Sequence, residues 1–208
     1  MLRISGLFLL LCGLLGPSTA QDRQGADVPS SPETSDLKGS LKEFLSNKIS
    51  SVRLSTTLTS GQRYSYHVRD IRIPYLSVEN SEDNQNAKLQ IAPEFTISVR
   101  IRRYPSINFR VRAVIAVDLQ VDTSENGIKR ITFTNCRLVP GSLEVVPEIK
   151  EPSAPRSIAK EVQGHMNYTF QKDLAERMCS FLNTWFHHMR PRLTNEQIDR
   201  FLQPGTYV

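Results

Sequence analysis

The chain has 208 residues, 39% of them hydrophobic, with 26 Lys and Arg against 21 Asp and Glu for a formal net charge of +5. So slight an excess does not by itself imply nucleic acid. Beyond the N-terminus no run approaches the roughly 18 consecutive apolar residues of a bilayer-spanning helix.

The N-terminus sets the expected compartment. Arg3 precedes an almost unbroken apolar run from Ile4 to Leu15, and Ser18 and Ala20 stand at −3 and −1 from a cut before Gln21. That is the pattern of a signal peptide over residues 1–20, too short to span a bilayer as a helix. The expected product is secreted and extracellular, with 188 residues and 25 basic against 21 acidic side chains. That length is enough for one domain with a sizeable core. Cys12 leaves with the leader, so Cys136 and Cys179 remain. In an oxidising compartment two such cysteines most simply bridge. Two buried thiols or a metal pair are the alternatives, although cysteines so far apart lack zinc-ligand spacing.

Residues 21–35 are polar, hold Pro29 and Pro32, and predict a disordered lead-in. A single domain is expected over 36–208. Leu37, Leu41, Phe44, Leu45 and Ile49 then recur at helical spacing, with Ser35 or Asp36 as N-cap. From Val52 to about Ile149 the period becomes two. Tyr64, Tyr66 and Val68 alternate with polar residues, and the phase slips by one before Ile71, Ile73 and Tyr75, as at a β-bulge. Ser81 to Asn86 is turn-like. Leu89 to Ile101 predicts one long strand and Phe109 to Val121 another, joined at Tyr104-Pro105-Ser106. Lys129 to Leu138 and Leu143 to Ile149 follow, separated by Pro140-Gly141. Long strands with short turns predict an antiparallel sheet having one apolar face.

A cover for that face comes next. After a linker from Glu151 to Pro155, apolar residues recur every three or four from Ile158 through Met189. This predicts one helix of over thirty residues, about 50 Å long, ending before Pro191. A short helix with a Thr194–Gln197 capping box closes the chain. The predicted fold is α+β, a long twisted antiparallel sheet wrapped as a half-barrel around one long C-terminal helix, with a short N-terminal helix.

The order of helix, long bulged hairpins, strand cysteine and long helix with a second cysteine resembles the bactericidal/permeability-increasing, LPS-binding and palate–lung–nasal (BPI/LBP/PLUNC) family. Residues 64–72, the basic hairpin Val99 to Arg112, the strand of Cys136 and the helix of Cys179 carry the likeness. The resemblance implies a single-domain form with an elongated apolar pocket for acyl chains, non-covalent lipid binding, and a place in mucosal or innate defence. It maps the family disulfide onto Cys136 and Cys179. Candidate pocket residues are Phe95, Ile97, Val99, Val111, Ile115 and Val117 on the strands. On the helix they are Phe170, Leu174, Met178, Phe181 and Trp185, for which plain core packing is the competing reading.

The hairpin's Arg100, Arg102, Arg103, Arg110 and Arg112 are the candidate anion site, since guanidinium groups bind phosphate and carboxylate bidentately. Apolar parity across the hairpin places Arg100 near Arg110 or Arg112. A solvated strand face whose charges discourage edge pairing is the other reading. Asn167-Tyr168-Thr169 is a glycosylation sequon in an exported chain. No catalytic residue, metal ligand set or cofactor is expected. Gly-x-Ser-x-Gly, phosphate-binding and dinucleotide-binding glycine patterns are missing, and His67, His165, His187 and His188 lack metal spacing.

The expected partners are lipid or lipopolysaccharide, with an anionic membrane surface or glycan beside them and no nucleic acid; antimicrobial activity is the expected use. The alternative functions are a glycan- or protein-binding module working through the basic hairpin, or a surface-active protein without a stable lipid pocket.

Overall fold

Leu37, Leu41, Leu45 and Ile49 fall on one face of a helix, α1 (Leu37–Ser50), and all four are buried. The computed structural model describes residues 37–58, 61–80, 86–148 and 155–207, and Ser35–Val208 forms one compact unit. The expected signal peptide, lead-in and helix N-cap lie outside the described residues, as do residues 81–85 of the first turn and 151–154 of the linker.

The period-two segments form an eight-stranded antiparallel sheet that does not close on itself. Its spine is β2 (Arg63–Asn80) paired with β3 (Asn86–Ile101), strands of 18 and 16 residues. The expected phase slip lies within two successive register shifts, Arg69 to Arg72 and Arg72 to Tyr75, with Asp70 in the left-handed region at φ 53°. The extra residue that β2 carries at each shift bends the strand and strengthens its twist. Short strands β1 (Arg53–Thr57) and β8 (Gly205–Tyr207) cover the outer edge of β2 at its two ends.

The run expected as one strand from Phe109 to Val121 is interrupted. It forms β4 (Ile107–Arg112) and β5 (Ile115–Thr123), with Ala113 and Val114 between them. β3 pairs with β5 along Asn86–Ile91 and with β4 along Glu94–Val99. Opposite the break stands Pro93, which has no N–H to give the ladder; its carbonyl accepts from the Ala113 N–H at 3.2 Å. The next pass is kinked at the same level. β6 (Lys129–Leu138) pairs with β5, β7 (Glu144–Glu148) pairs with β4, and the Pro140-Gly141 turn lies between. Val139 N–H and the Ser142 hydroxyl bond the Val114 backbone across that kink.

The cover is α2 (Arg156–Met189), a helix of 34 residues. Val162, Met166, Phe170, Leu174, Met178 and Trp185 are buried along it, each large side chain contributing roughly 1.5–3 kcal/mol. The Phe170 ring meets Tyr66 and Phe95 of the sheet edge-on, at centroid distances of 6.4 and 6.1 Å. Tyr64 Oη and His165 Nδ1, 2.7 Å apart, form a hydrogen bond between sheet and helix. Cys136 of β6 and Cys179 of α2 are disulfide-bonded, their Cα atoms 5.7 Å apart.

Helical amides also satisfy the free edge of the sheet. Asn183 accepts from the Phe133 N–H at 3.3 Å and donates to the Phe133 carbonyl at 3.1 Å. Gln163 donates to the Val145 carbonyl of β7 at 2.6 Å. The last helix, α3 (Asn195–Leu202), starts with the expected capping box and buries Ile198, Phe201 and Leu202. Its Asn195 bonds Gly127 and Lys129 at the β5–β6 turn.

Candidate functional site

Between α2 and the concave face of the sheet lies an apolar crevice. β2 supplies Tyr66 and Val68, β3 supplies Phe95, and Ile49 and Val52 come from the end of α1 and the residues after it. The helix presents two adjacent stripes to it. Phe170, Leu174, Met178 and Phe181 form the apolar one; Thr169, Asp173 and Arg177, four residues apart, form a polar rim. The void inside is about 30 Å³, set against the roughly 10–15 Å³ that one water molecule needs. An acyl chain therefore enters only as the walls part.

Of the candidate pocket residues, Phe95, Phe170, Leu174, Met178 and Phe181 line this crevice. Ile97, Val99, Val111, Ile115 and Val117 are sealed in the core and do not line it. Trp185 lies further along α2, 2% exposed, and packs on Phe186 and on Phe201 of α3. Sequence reasoning did not pick out the rim residues Asp173 and Arg177 or the tyrosine Tyr66 facing them. Their signal was available, a polar stripe at helical spacing beside the apolar one.

Burial pushes the Tyr66 hydroxyl up to about 12, with Arg177 opposing and Asp173 reinforcing the rise. Tyr64 is likewise raised to about 12 by burial and then by Tyr66. Both phenols are therefore neutral across the physiological range. The larger hollows, of about 590 and 390 Å³, are lined largely by polar residues that alternate with the core positions, such as Lys88, Gln120 and Arg110.

The arginines divide into two groups. The hairpin connection runs from Arg102 to Ser106, so it includes the expected Tyr104-Pro105-Ser106 and begins with a tight turn at Arg102-Arg103, where Arg103 has φ 76° and the Tyr104 N–H bonds the Ile101 carbonyl. Val99 thus pairs with Ile107, Thr96 with Arg110 and Glu94 with Arg112. Arg110 is held by Glu148 at 2.8 Å, and Arg112 by Glu94 at 3.1 Å and Glu144 at 3.9 Å. Arg100 pairs instead with Ser65 of β2, away from both. The expected juxtaposition of Arg100 with Arg110 or Arg112 is therefore not formed. Arg100, Arg102 and Arg103 remain together and exposed at the hairpin tip.

Asn167 is partly buried on α2, and the adjacent Tyr168 is 68% exposed. His187 and His188 are exposed, and no cluster of metal-ligating side chains exists among the described residues. Nor is any helix among them long and apolar enough to cross a membrane.

An open half-barrel of long, kinked antiparallel strands, occupied by one long helix and stapled to it by a strand-to-helix disulfide, is the BPI-like fold. No family profile matches the chain. Latherin of Equus caballus is 27% identical over 221 residues, covering 97% of this chain and 96% of latherin. The putative BPIFA4P protein of Homo sapiens is 24% identical over 162 residues, covering 69% of this chain and 90% of that protein. The crystal structure of lipopolysaccharide binding protein shares the fold, with a TM-score of 0.50 and 16% identity over 76% of this chain and 38% of that one. The chain is thus similar in sequence to latherin and to the putative BPIFA4P protein, and it shares the fold of lipopolysaccharide binding protein.

Proposed function

We propose that this is a secreted, non-catalytic lipid-binding protein that takes apolar chains between α2 and the sheet. The observation carrying this reading is the crevice of Val68, Phe95, Phe170, Leu174, Met178 and Phe181, apolar inside and rimmed by polar side chains. Burying a chain there gains roughly 25 cal/mol per Å² of apolar surface. Arg100, Arg102 and Arg103 at the hairpin tip supply a second, exposed contact for anionic head groups or glycans. The name of lipopolysaccharide binding protein makes lipopolysaccharide a first ligand to test beside phospholipid, and mucosal or innate defence is the setting proposed with it. Asn167 is the proposed glycan attachment point, checked by a mass shift on enzymatic deglycosylation of the secreted protein.

The test is native mass spectrometry of the mature protein before and after incubation with phospholipid and lipopolysaccharide. Bound lipid that extracts into organic solvent is the expected result. A bare polypeptide that takes up neither ligand overturns the reading.

One observation favours a second reading. The core is nearly filled, so its apolar stripe meets an air–water or lipid interface only on opening. A surface-active protein of this kind lowers surface tension in a film balance while retaining no lipid after gel filtration.

A further inference from the structure

We propose that the crevice is a site for a single acyl chain whose anionic head group, a carboxylate or a phosphate, is held at the mouth by Arg177 and the Tyr66 hydroxyl. This rests on the lipid-binding reading and adds the ligand class. Chain number follows from size. A void of about 30 Å³ walled by Met178, Leu174 and the half-buried Phe181 admits one chain through a small parting of its walls together with rotamer changes, which suit flexible Met. Room for two parallel tails demands that sheet and helix come apart.

The head group follows from the rim. Asp173 and Arg177 stand four residues apart on α2, the spacing at which helical ion pairs form. No ion pair joins them, and Arg177 has no carboxylate partner among the described residues. Arg110 and Arg112 on the sheet, by contrast, are both paired. Arg177 is exposed, so its planar fork of donors is free to take a carboxylate or phosphate bidentately. The Tyr66 phenol lies within electrostatic reach of Arg177 and stays protonated. It has no hydrogen-bond partner among the described residues and is the second donor. Asp173 is the opposing charge at the same mouth, and it weakens anion binding without abolishing it.

The experiment titrates the mature protein by calorimetry with laurate, dodecyl phosphate and the neutral ester monolaurin, which share one chain length. Both anions are expected to bind about ten-fold more tightly than monolaurin, the scale of a hydrogen bond to a charged group. Laurate against dodecyl phosphate tells which head group the mouth prefers. Arg177→Gln is expected to remove the preference, so that both anions bind no more tightly than monolaurin does to the same variant; Arg177→Lys is expected to keep part of it, and Asp173→Asn to widen it. Equal affinity for all three ligands in the unaltered protein, or an Arg177→Gln variant that still prefers laurate, overturns the head-group assignment and leaves chain binding standing. Uptake of none of the three removes the lipid reading itself, and this site with it.

Discussion

Tyr64 and Tyr66 stand two residues apart on β2 and face α2, one bonded to His165 and the other stacked edge-on against Phe170. Because burial raises both phenols to about 12, from 10 in the unfolded chain, they couple folding to alkaline pH. An acid whose folded pKa is raised is protonated more strongly by the folded state, so its stabilisation is whole below pH 10 and drains away as pH climbs from 10 through 12. Urea midpoints measured between pH 8 and pH 12 are expected to fall over that window. In a Tyr64→Phe/Tyr66→Phe variant the fall is expected to be shallower, although the variant starts lower at pH 8 by about 1 kcal/mol for the lost His165 hydrogen bond. Equal alkaline slopes in the two proteins contradict this assignment. Residue-scale chemistry of this kind is hard to see in a sequence. The alternation put both tyrosines on one face, but their acidity depends on a helix that begins some ninety residues later.

The elements themselves were largely legible, because a two-residue period and a 3.6-residue period leave different marks. Two features were not. Parity is unchanged when a hairpin slides by two or four residues, so alternation alone cannot choose a register. The turn chooses it, and here Arg103 adopts a left-handed conformation that nothing in Tyr104-Pro105-Ser106 announces. The break between β4 and β5 is invisible in their own alternation because its cause, Pro93, lies on the neighbouring strand.

Closure of the sheet edge by amides was also missed, since Gln163 and Asn183 look like ordinary surface residues of a helix. Asn183 nonetheless stands in for a neighbouring strand by meeting both polar groups of Phe133. Asn183→Leu is expected to leave that N–H and carbonyl unpaired at the edge and to cost about 1–3 kcal/mol. Native-state hydrogen exchange offers the sharper check, with the Phe133 amide losing protection while amides at the centre of β3 keep theirs. Unchanged protection at Phe133 removes the amide from the closure of the sheet.

For the whole molecule the question is how a nearly filled core admits a ligand. The sheet is an open half-barrel whose free edge is bonded by α2 through Gln163, Asn183 and the Cys136–Cys179 disulfide. Of these only the disulfide is covalent, and Cys179 directly follows Met178, a wall of the crevice. Helix and sheet are thus pinned beside the place where they must part. With its cysteines 43 positions apart in the sequence, the bond stabilises the fold by roughly 4 kcal/mol on the chain-entropy model. A Cys136→Ser/Cys179→Ser variant is expected to lose stability of that order and, while still folded, to take up dodecyl-chain ligands faster than the unaltered protein. Stopped-flow fluorescence with a Phe181→Trp reporter measures the rate. Faster uptake with little change in equilibrium affinity places the barrier in separating α2 from the sheet. Identical rates in the two proteins show instead that side-chain rotation at Phe181 and Met178 suffices, and the helix then stays seated while the ligand enters.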